Sequence, residues 1–196
     1  ATVGGGGATS PRGKGGCTEE VRTGVGGLET KGKPWSFAGS GRADWAKDLA
    51  VATMAEAGDK QIEVLFWVGC AGSYEARAKR VSRSLIEILD AAGVSFAILG
   101  NEETCTGDSA RRMGNEYLFQ TLARQNVATL NGYKVRKIVT NCPHCMNCLK
   151  NEYGDFGGHY EVVHGSQLVS DLIASGRVRM TTPIPDTITF HDPCYL

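Results

Sequence analysis

IEVLFWVGC, residues 62–70, is an almost continuous apolar run that ends in a glycine and a cysteine. Such a run is typical of a strand that is buried on both faces of a parallel sheet. The stretch from Glu75 to Ala92 then places apolar residues at spacings of three and four, and Gly93 ends the pattern. This spacing predicts an amphipathic helix whose inward residues are Ala78, Val81, Leu85, Leu89 and Ala92. The two segments together predict one strand–helix unit.

The same strand–helix pattern recurs along the chain. Further strands are predicted at 95–99, 137–140, 161–163 and 187–190. Helices are predicted over 109–122 with Met113, Tyr117 and Leu122 facing inward, from Pro143, and from a cap at Ser166. Alternating units of this kind imply a mostly parallel sheet with right-handed crossovers. The predicted fold class is therefore α/β, a doubly wound, flavodoxin-like parallel sheet with helices on both faces.

The segments before the repeating units are predicted to differ from them. Residues 1–43 are Gly-rich and hold few large apolar side chains, so we expect them to be disordered. Residues 44–60 are expected to form a lead-in helix with Trp45, Leu49 and Met54 on its apolar side. Residues 61–185 then make up the cysteine-rich domain.

The composition argues against several classes of function. The 21 Lys and Arg residues balance 21 Asp and Glu residues without a long run of either sign, which argues against a nucleic-acid partner. The longest apolar stretch, Val64 to Gly72, is far shorter than the roughly 20 residues that cross a bilayer. The first residues show no secretory signal. We expect a cytoplasmic protein that associates with a membrane through a partner subunit, if at all.

Seven cysteines without an export signal favour metal binding or redox chemistry over disulfides. Cys70, Cys105 and Cys142 each follow a different predicted strand, and Cys145 lies one helical turn beyond Cys142. The carboxyl ends of parallel strands meet at one edge of the sheet, where ligands bind. Four converging thiolates suit an iron–sulfur cluster or a structural zinc ion. Cys17, in the Gly-rich segment, is expected to take no part.

Three short motifs make this prediction more specific. Gly69-Cys70, Cys105-Thr106-Gly107 and Cys142-Pro143-His144-Cys145 resemble the cysteine-rich motif of the heterodisulfide reductase family, commonly written C-x(n)-CCG-x(n)-CxxC. The longer strings at 104–116 and 191–196 look like ferredoxin-fused or membrane-complex-associated members of that family. The resemblance covers residues 61–196.

The resemblance also bears on the two ends of the chain. In similar proteins the module occurs twice, so residues 186–196 look like the start of a second, truncated module that Cys194 opens. An ordinary buried cysteine is the alternative for Cys194. The first residue is Ala1 rather than Met. Together with the incomplete second module, this leads us to expect that both ends are truncations.

One position departs from the family motif. The paired cysteine is here Cys105 followed by Thr106, so one thiolate is missing from the set that supports a non-cubane cluster in some members. The remaining four, Cys70, Cys105, Cys142 and Cys145, suit an ordinary [4Fe-4S] cluster. Cys148 is a further candidate, either as a ligand or spare thiol or as a packed core residue.

Five residues near these cysteines are candidates for contact with the cofactor. Gly69 and Gly107 adjoin ligand positions, where a missing Cβ lets the backbone approach a sulfur, although both also suit plain turns. Arg111 and Arg112 are candidates to hold an anionic cluster or the carboxylates of a thiol substrate, with a surface role as the alternative. His144 is a candidate hydrogen-bond donor or proton relay, with a structural hydrogen bond as the alternative.

Three functions remain open from the sequence. The first is an electron-transfer domain of a heterodisulfide reductase-like oxidoreductase, working between a ferredoxin-like, flavoprotein or quinone-linked membrane subunit and a thiol, disulfide or other small substrate. The second is a thiol–disulfide oxidoreductase that uses Cys142 and Cys145 directly. The third is a structural zinc module closed by the four thiolates.

Overall fold

A computed structural model describes residues 18–32, 41–58, 60–189 and 191 of the chain. In this part of the chain, one sheet is formed by β1 (Val64–Trp67), β2 (Phe96–Ala97), β3 (Lys137–Thr140) and β4 (Glu161–His164). Every strand pairing is parallel, and the order across the sheet is β2-β1-β3-β4. The predicted α/β class with a doubly wound parallel sheet is therefore confirmed.

Helices alternate with these strands and lie on both faces of the sheet. They are α1 (Glu19–Lys31), α2 (Met54–Ala57), α3 (Gly69–Tyr74), α4 (Ala76–Ala91), α5 (Asp108–Arg112), α6 (Glu116–Gly132), α7 (Pro143–Asn147) and α8 (Gly165–Ala174). Short 3₁₀ turns lie at Asp44–Ala46, Gly100–Glu102 and Tyr153–Phe156, and a π-helical turn lies at Cys148–Glu152. No helix of the described residues is long and apolar enough to cross a membrane.

The side chains of β1 alternate between two hydrophobic cores. Leu65 and Trp67 lie in one core together with α6, whereas Val64 and Phe66 lie in the other together with α4 and α8. Phe66 and Trp67 are both fully buried. Because successive side chains of a strand point to opposite faces, a strand covered on both faces is apolar at every position. This explains the unbroken apolar sequence of β1.

Residues 19–31 are ordered, in contrast to the disorder expected for the Gly-rich segment. They form α1, which begins after Thr18 and ends at Gly32 in the left-handed conformation. Leu28 is 1% exposed, and Val25 packs against the same core. Leu28 and Val25 thus pack this helix on the domain, and the prediction of disorder is wrong for residues 19–31. Residues 1–17 and 33–40 lie outside the described residues.

The lead-in segment is not a single helix, which corrects the second prediction for the N-terminal part. Trp45 packs edge-to-face on Phe66 at 6.2 Å between ring centroids, in the core that contains α4. Met54 joins the opposite core, and Thr53 forms a parallel bridge with Ile98. One straight helix cannot reach both faces of a sheet. The segment instead passes along the β2 edge as two short helical pieces joined by extended chain.

Smaller predictions about exposure and strand number also fail. Val81 and Tyr117, predicted to face inward, are 50% and 84% exposed. The predicted helix over 109–122 is divided into α5 and α6 at Gly114, whose φ is +79°. Residues 187–189 form no strand and are exposed, while Phe190 lies outside the described residues. An apolar pattern alone does not make a strand when no neighbouring strand pairs with it.

Replacing Phe66 with Ala is expected to lower the free energy of unfolding by about 3–5 kcal/mol, because a fully buried aromatic ring is removed from the central strand. Tyr117→Ala removes a largely exposed ring and is the matched control, with an expected change within about 0.5 kcal/mol. Urea denaturation followed by circular dichroism measures both. A loss at position 66 no larger than that of the control would contradict the packing described.

Candidate metal centre

Cysteines lie at the carboxyl edge of the sheet. Cys70 is in the first turn of α3 after β1, Cys105 is in the loop after β2, and Cys142 and Cys145 follow β3. Since β2 lies on one side of β1 and β3 on the other, the chain leaves the carboxyl ends of β1 and β3 in different directions. Doubly wound sheets form their ligand crevice at this switch point. The fold therefore places these cysteines where a ligand is expected.

The four sulfurs form two hydrogen-bonded pairs. The Cys105 thiol donates to Cys70, and the Cys145 thiol donates to Cys142. The two pairs are close to each other, since negative charge on Cys105 and on Cys70 raises the pKa of Cys145. Cys105 and Cys145 are buried, whereas Cys70 and Cys142 are partly exposed. The structure thus brings the four residues that the sequence singled out to one place.

These hydrogen bonds lower the pKa of one cysteine in each pair and raise the pKa of the other. The bond from Cys105, together with the charge of Arg42, lowers the pKa of Cys70 to about 7. The bond from Cys145 lowers the pKa of Cys142 to about 6. The same bonds, together with burial, raise the pKa of Cys105 and of Cys145 well above the usual value. In each pair the cysteine with the lowered pKa more readily becomes a thiolate, which is the form that binds metals.

Each of the four sulfurs also accepts a hydrogen bond from another donor of the protein. The donors are Arg42 Nη1 to Cys70 (3.6 Å), the Gly107 N–H to Cys105 (3.5 Å), the Thr106 hydroxyl to Cys145 (3.9 Å) and backbone N–H groups of His144 and Cys145 to Cys142. Hydrogen bonds to charged acceptors are stronger than those between neutral groups. These donors favour negative charge on the sulfurs, but burial and the neighbouring cysteine outweigh them at Cys105 and Cys145.

Two glycines allow the backbone to come close to this group. Gly69 has φ +75°, and a Cβ there would lie 3.3 Å from the Cys145 sulfur. Gly107 has φ +88°, and a Cβ there would lie 2.9 Å from a ring carbon of Phe119. A side chain at either position is disfavoured both by the left-handed backbone and by crowding. Both glycines are thus more than ordinary turn residues, and Gly69 lies directly beside the sulfurs.

A buried polar network fixes the loop that carries Cys105. The Asn126 amide donates to the Cys105 carbonyl and to the Tyr153 hydroxyl, each at 3.0 Å. The Tyr153 hydroxyl donates to the Thr106 carbonyl at 3.1 Å, and the Thr104 hydroxyl donates to Asn126 at 2.8 Å. Burial raises the pKa of Tyr153, so its hydroxyl remains a donor. Buried networks that are fully satisfied hold their members in one geometry.

Sequence reasoning missed a buried ion pair at this centre, between Arg42 and Glu103. Their side chains are 5% and 1% exposed, and Nη2 lies 2.5 Å from Oε1. The same carboxylate accepts hydrogen bonds from the N–H groups of Val68 at 2.9 Å and Gly69 at 2.8 Å. Burial disfavours the charge of Arg42, but Glu103 and Cys70 outweigh that effect and hold its pKa above the usual value. Glu103 therefore ties the loop after β2 to the end of β1.

Three other predicted residues belong to a charged cluster beside α5 and α7. Arg112 Nε lies 3.1 Å from Asp108, and His144 Nδ1 lies 3.0 Å from the same carboxyl group. Arg111 Nη1 lies 3.2 Å from Glu152, which Arg112 also contacts. In these contacts both arginines neutralise carboxylates of the chain itself. Arg42, which no sequence pattern indicated, donates to the sulfur of Cys70.

Cys148 differs from the four paired cysteines. It is fully buried, and its thiol donates to the Glu152 carboxylate at 3.2 Å. Burial and Glu152 raise the pKa of Cys148, so the sulfur keeps its proton. This surrounding suits a packed core thiol better than a thiolate ligand. Cys194, the other additional candidate, and Cys17 lie outside the described residues.

Among the residues that the structure describes, no three Cys, His, Asp or Glu side chains are grouped as ligands of a single metal ion. A mononuclear zinc site needs all its sulfurs at about 2.3 Å from one point. A polynuclear iron–sulfur cluster has no such requirement, because its thiolates bind different iron atoms. The donor set of four cysteines, two of them with a lowered pKa, is chemically suited to such a cluster.

Comparison with known proteins shows which proteins resemble this part of the chain. A family model described as a cysteine-rich domain matches residues 64–150, which include all four paired cysteines. This region is similar to the cysteine-rich domain family, and the likeness to heterodisulfide reductases that the motif indicated is confirmed.

Three relatives illustrate the relationship. Over 86% of its length the chain is 44% identical to the EtfAB:quinone oxidoreductase of Syntrophomonas wolfei and 45% identical to the probable iron-sulfur-binding oxidoreductase FadF of Bacillus subtilis. Over 70% of its length it is 31% identical to one subunit of the dihydromethanophenazine:CoB–CoM heterodisulfide reductase of Methanosarcina barkeri. The chain spans 24%, 25% and 35% of these three proteins. No solved structure matched the chain significantly.

Gly107→Ala is expected to destabilise the protein more than Gly93→Ala does. Both glycines have a left-handed backbone, but a Cβ at Gly93 meets nothing within 4 Å. We expect a loss of about 1–2 kcal/mol from backbone strain at either position, and about 1–3 kcal/mol more at Gly107 from the contact with Phe119. Urea denaturation of the two variants measures this difference. Equal losses would show that close packing at Gly107 is unimportant.

Proposed function

We propose that this chain is an iron–sulfur electron-transfer domain of an oxidoreductase, with Cys70, Cys105, Cys142 and Cys145 as the ligands of a [4Fe-4S] cluster. The observation that carries the proposal is the gathering of these four sulfurs, as two hydrogen-bonded pairs, at the switch point of the sheet. The names of the matched relatives, which include iron–sulfur-binding and heterodisulfide oxidoreductases, support the same function.

A bound cluster of this kind supplies transfer of one electron at a time. The cysteine pairs bind it as thiolates, so the two protons held by Cys105 and Cys145 are released on binding. The N–H and hydroxyl donors at the sulfurs stabilise negative charge there. The hydrophobic core around the buried members of each pair limits access of water. Hydrogen bonds to sulfur and solvent exposure are the features by which a protein sets a cluster potential.

Electrons are proposed to enter and leave on the side of the partly exposed cysteines, Cys70 and Cys142. The partner is a ferredoxin-like, flavoprotein or quinone-linked membrane subunit, and the final acceptor is a thiol, disulfide or other small substrate. Three matched relatives carry names that fit this assignment: a quinone oxidoreductase, a probable membrane-anchored ferredoxin and a component of a heterodisulfide reductase. Any contact with a membrane is proposed to pass through that partner, with the chain itself in the cytoplasm.

Anaerobic purification with iron and acid-labile sulfide analysis tests the cluster. The chain is expected to be brown, with about four irons and four sulfides per molecule. Each of four single variants is expected to lose most of the iron, because one thiolate ligand is removed: Cys70→Ser, Cys105→Ser, Cys142→Ser and Cys145→Ser. Cys148→Ala and Cys17→Ser are the matched controls and should retain it. Equal iron content in Cys105→Ser and Cys17→Ser would reject the ligand assignment.

Thiol–disulfide exchange is a second candidate, favoured by the Cys142–Cys145 pair and the lowered pKa of Cys142. In this reaction the Cys142 thiolate attacks a substrate disulfide, one substrate thiolate leaves, and Cys145 resolves the mixed disulfide. The substrate is reduced while the two cysteines become a disulfide.

Iron analysis and an assay of disulfide reduction distinguish thiol–disulfide exchange from cluster binding. The anaerobic protein would contain no iron and would reduce a model disulfide, with a rate that rises through about pH 6 as Cys142 loses its proton. Cys105→Ser would leave that rate unchanged and Cys142→Ser would abolish it. Iron-loaded protein without exchange activity would exclude this candidate.

A further inference from the structure

Arg42 is an arginine directed at one of the proposed ligands from inside the protein. Arg42 is 4% exposed, and its Nη1 lies 3.6 Å from the Cys70 sulfur. Its Nε–H is also buried, and no acceptor for it exists among the described residues. A buried donor without an acceptor is costly. The Nε–H of Arg42 can therefore donate to an acceptor that is not among these residues.

The charge of this guanidinium is permanent, because arginine does not lose its proton in proteins. Buried charges are screened much less by salt than surface charges are. A fixed cation beside Cys70 therefore favours whichever state of the centre carries more negative charge, and that state is the reduced one.

Glu103 places the opposite charge on the same side of the centre. Its carboxylate holds Arg42 and accepts hydrogen bonds from Val68 and Gly69, so it fixes where the guanidinium lies. The carboxylate itself donates nothing to sulfur, and its negative charge disfavours reduction. The two members of the pair therefore act on the centre with opposite sign, and Arg42 makes the direct contact with Cys70.

We infer that Arg42 and Glu103 set the reduction potential of the proposed cluster through Cys70, Arg42 raising it and Glu103 lowering it. Arg42 is thus a positioning residue that also supplies charge, and Glu103 orients it. This inference rests on the proposed function, because it requires a redox centre bound by Cys70.

The test compares two neutral variants with opposite expected effects. Each protein is purified anaerobically, its iron and sulfide are measured, and its midpoint potential is determined by redox titration followed by electron paramagnetic resonance. Arg42→Gln is expected to lower the potential by an amount equal to at least a tenfold change in the ratio of reduced to oxidised centre, which is about 59 mV for one electron. Glu103→Gln is expected to raise it, because the cation is then no longer neutralised.

Two controls separate charge from structure. Arg42→Lys keeps the positive charge and is expected to have a potential closer to that of the unmodified chain than Arg42→Gln has. Arg177→Gln makes the same change of charge at the opposite edge of the sheet, where Arg177 contacts Glu63, Ala92 and Gly93, and should leave the potential unchanged. A loss of packing alone would not give shifts of opposite sign at positions 42 and 103.

The outcomes distinguish the two proposals. Unmodified chain without iron would overturn the proposed function and the inference with it. An intact cluster with no shift, or with shifts of the same sign in Arg42→Gln and Glu103→Gln, would overturn the inference and leave the proposed function standing. If Arg42→Gln loses its iron, Glu103→Gln decides the result: a raised potential supports the inference, and an unchanged or lowered potential overturns it.

Discussion

The carboxylate of Glu103 is the interaction on which the geometry of the centre depends. It joins the loop after β2, the end of β1 and Arg42 at a single buried point. A buried carboxylate is tolerable only with its charge paired and its oxygens hydrogen-bonded, and here both conditions are met. The Gly69 N–H makes one of these contacts, and Cys70 is the next residue. The carboxylate of Glu103 therefore also fixes the position of the first cysteine. The centre thus depends on a buried polar interaction at the edge of an apolar core.

The topology of the sheet explains why distant cysteines meet. The connection after β1 leads to one neighbour and the chain later returns to pair β3 on its other side, which separates the two loops at the carboxyl edge. The cores on the two faces hold the strands in this order, with α6 on one side and α4 and α8 on the other. Apolar packing therefore supplies the frame, whereas hydrogen bonds to sulfur and to the Cys105 loop supply the local geometry.

Sequence patterns predicted those features that repeat locally. The limits of β3 matched, and the cysteine after each of three strands was placed at the correct edge because a parallel sheet leaves little choice. The Arg42–Glu103 pair carries no such signal, since its partners are 61 residues apart and neither lies in a periodic segment. No sequence pattern predicts helix α1, because Val25 and Leu28 lie among glycines. Periodicity predicts an inward Tyr117, but it does not show how much of a helix surface the sheet covers.

The sequence separation within the centre has a consequence for its assembly. All residues of the first half of the centre precede β3: Arg42, Cys70, Glu103 and Cys105. The charges of Arg42 and Glu103 neutralise each other only after the chain between them, 61 residues in sequence separation, has closed into a loop. As domains emerge from the ribosome from the amino end onward, this half of the centre can form first. Cys142 and Cys145 join it when β3 pairs with β1. The proposed cluster is therefore expected to bind at the end of folding, after Cys142 and Cys145 have joined the centre.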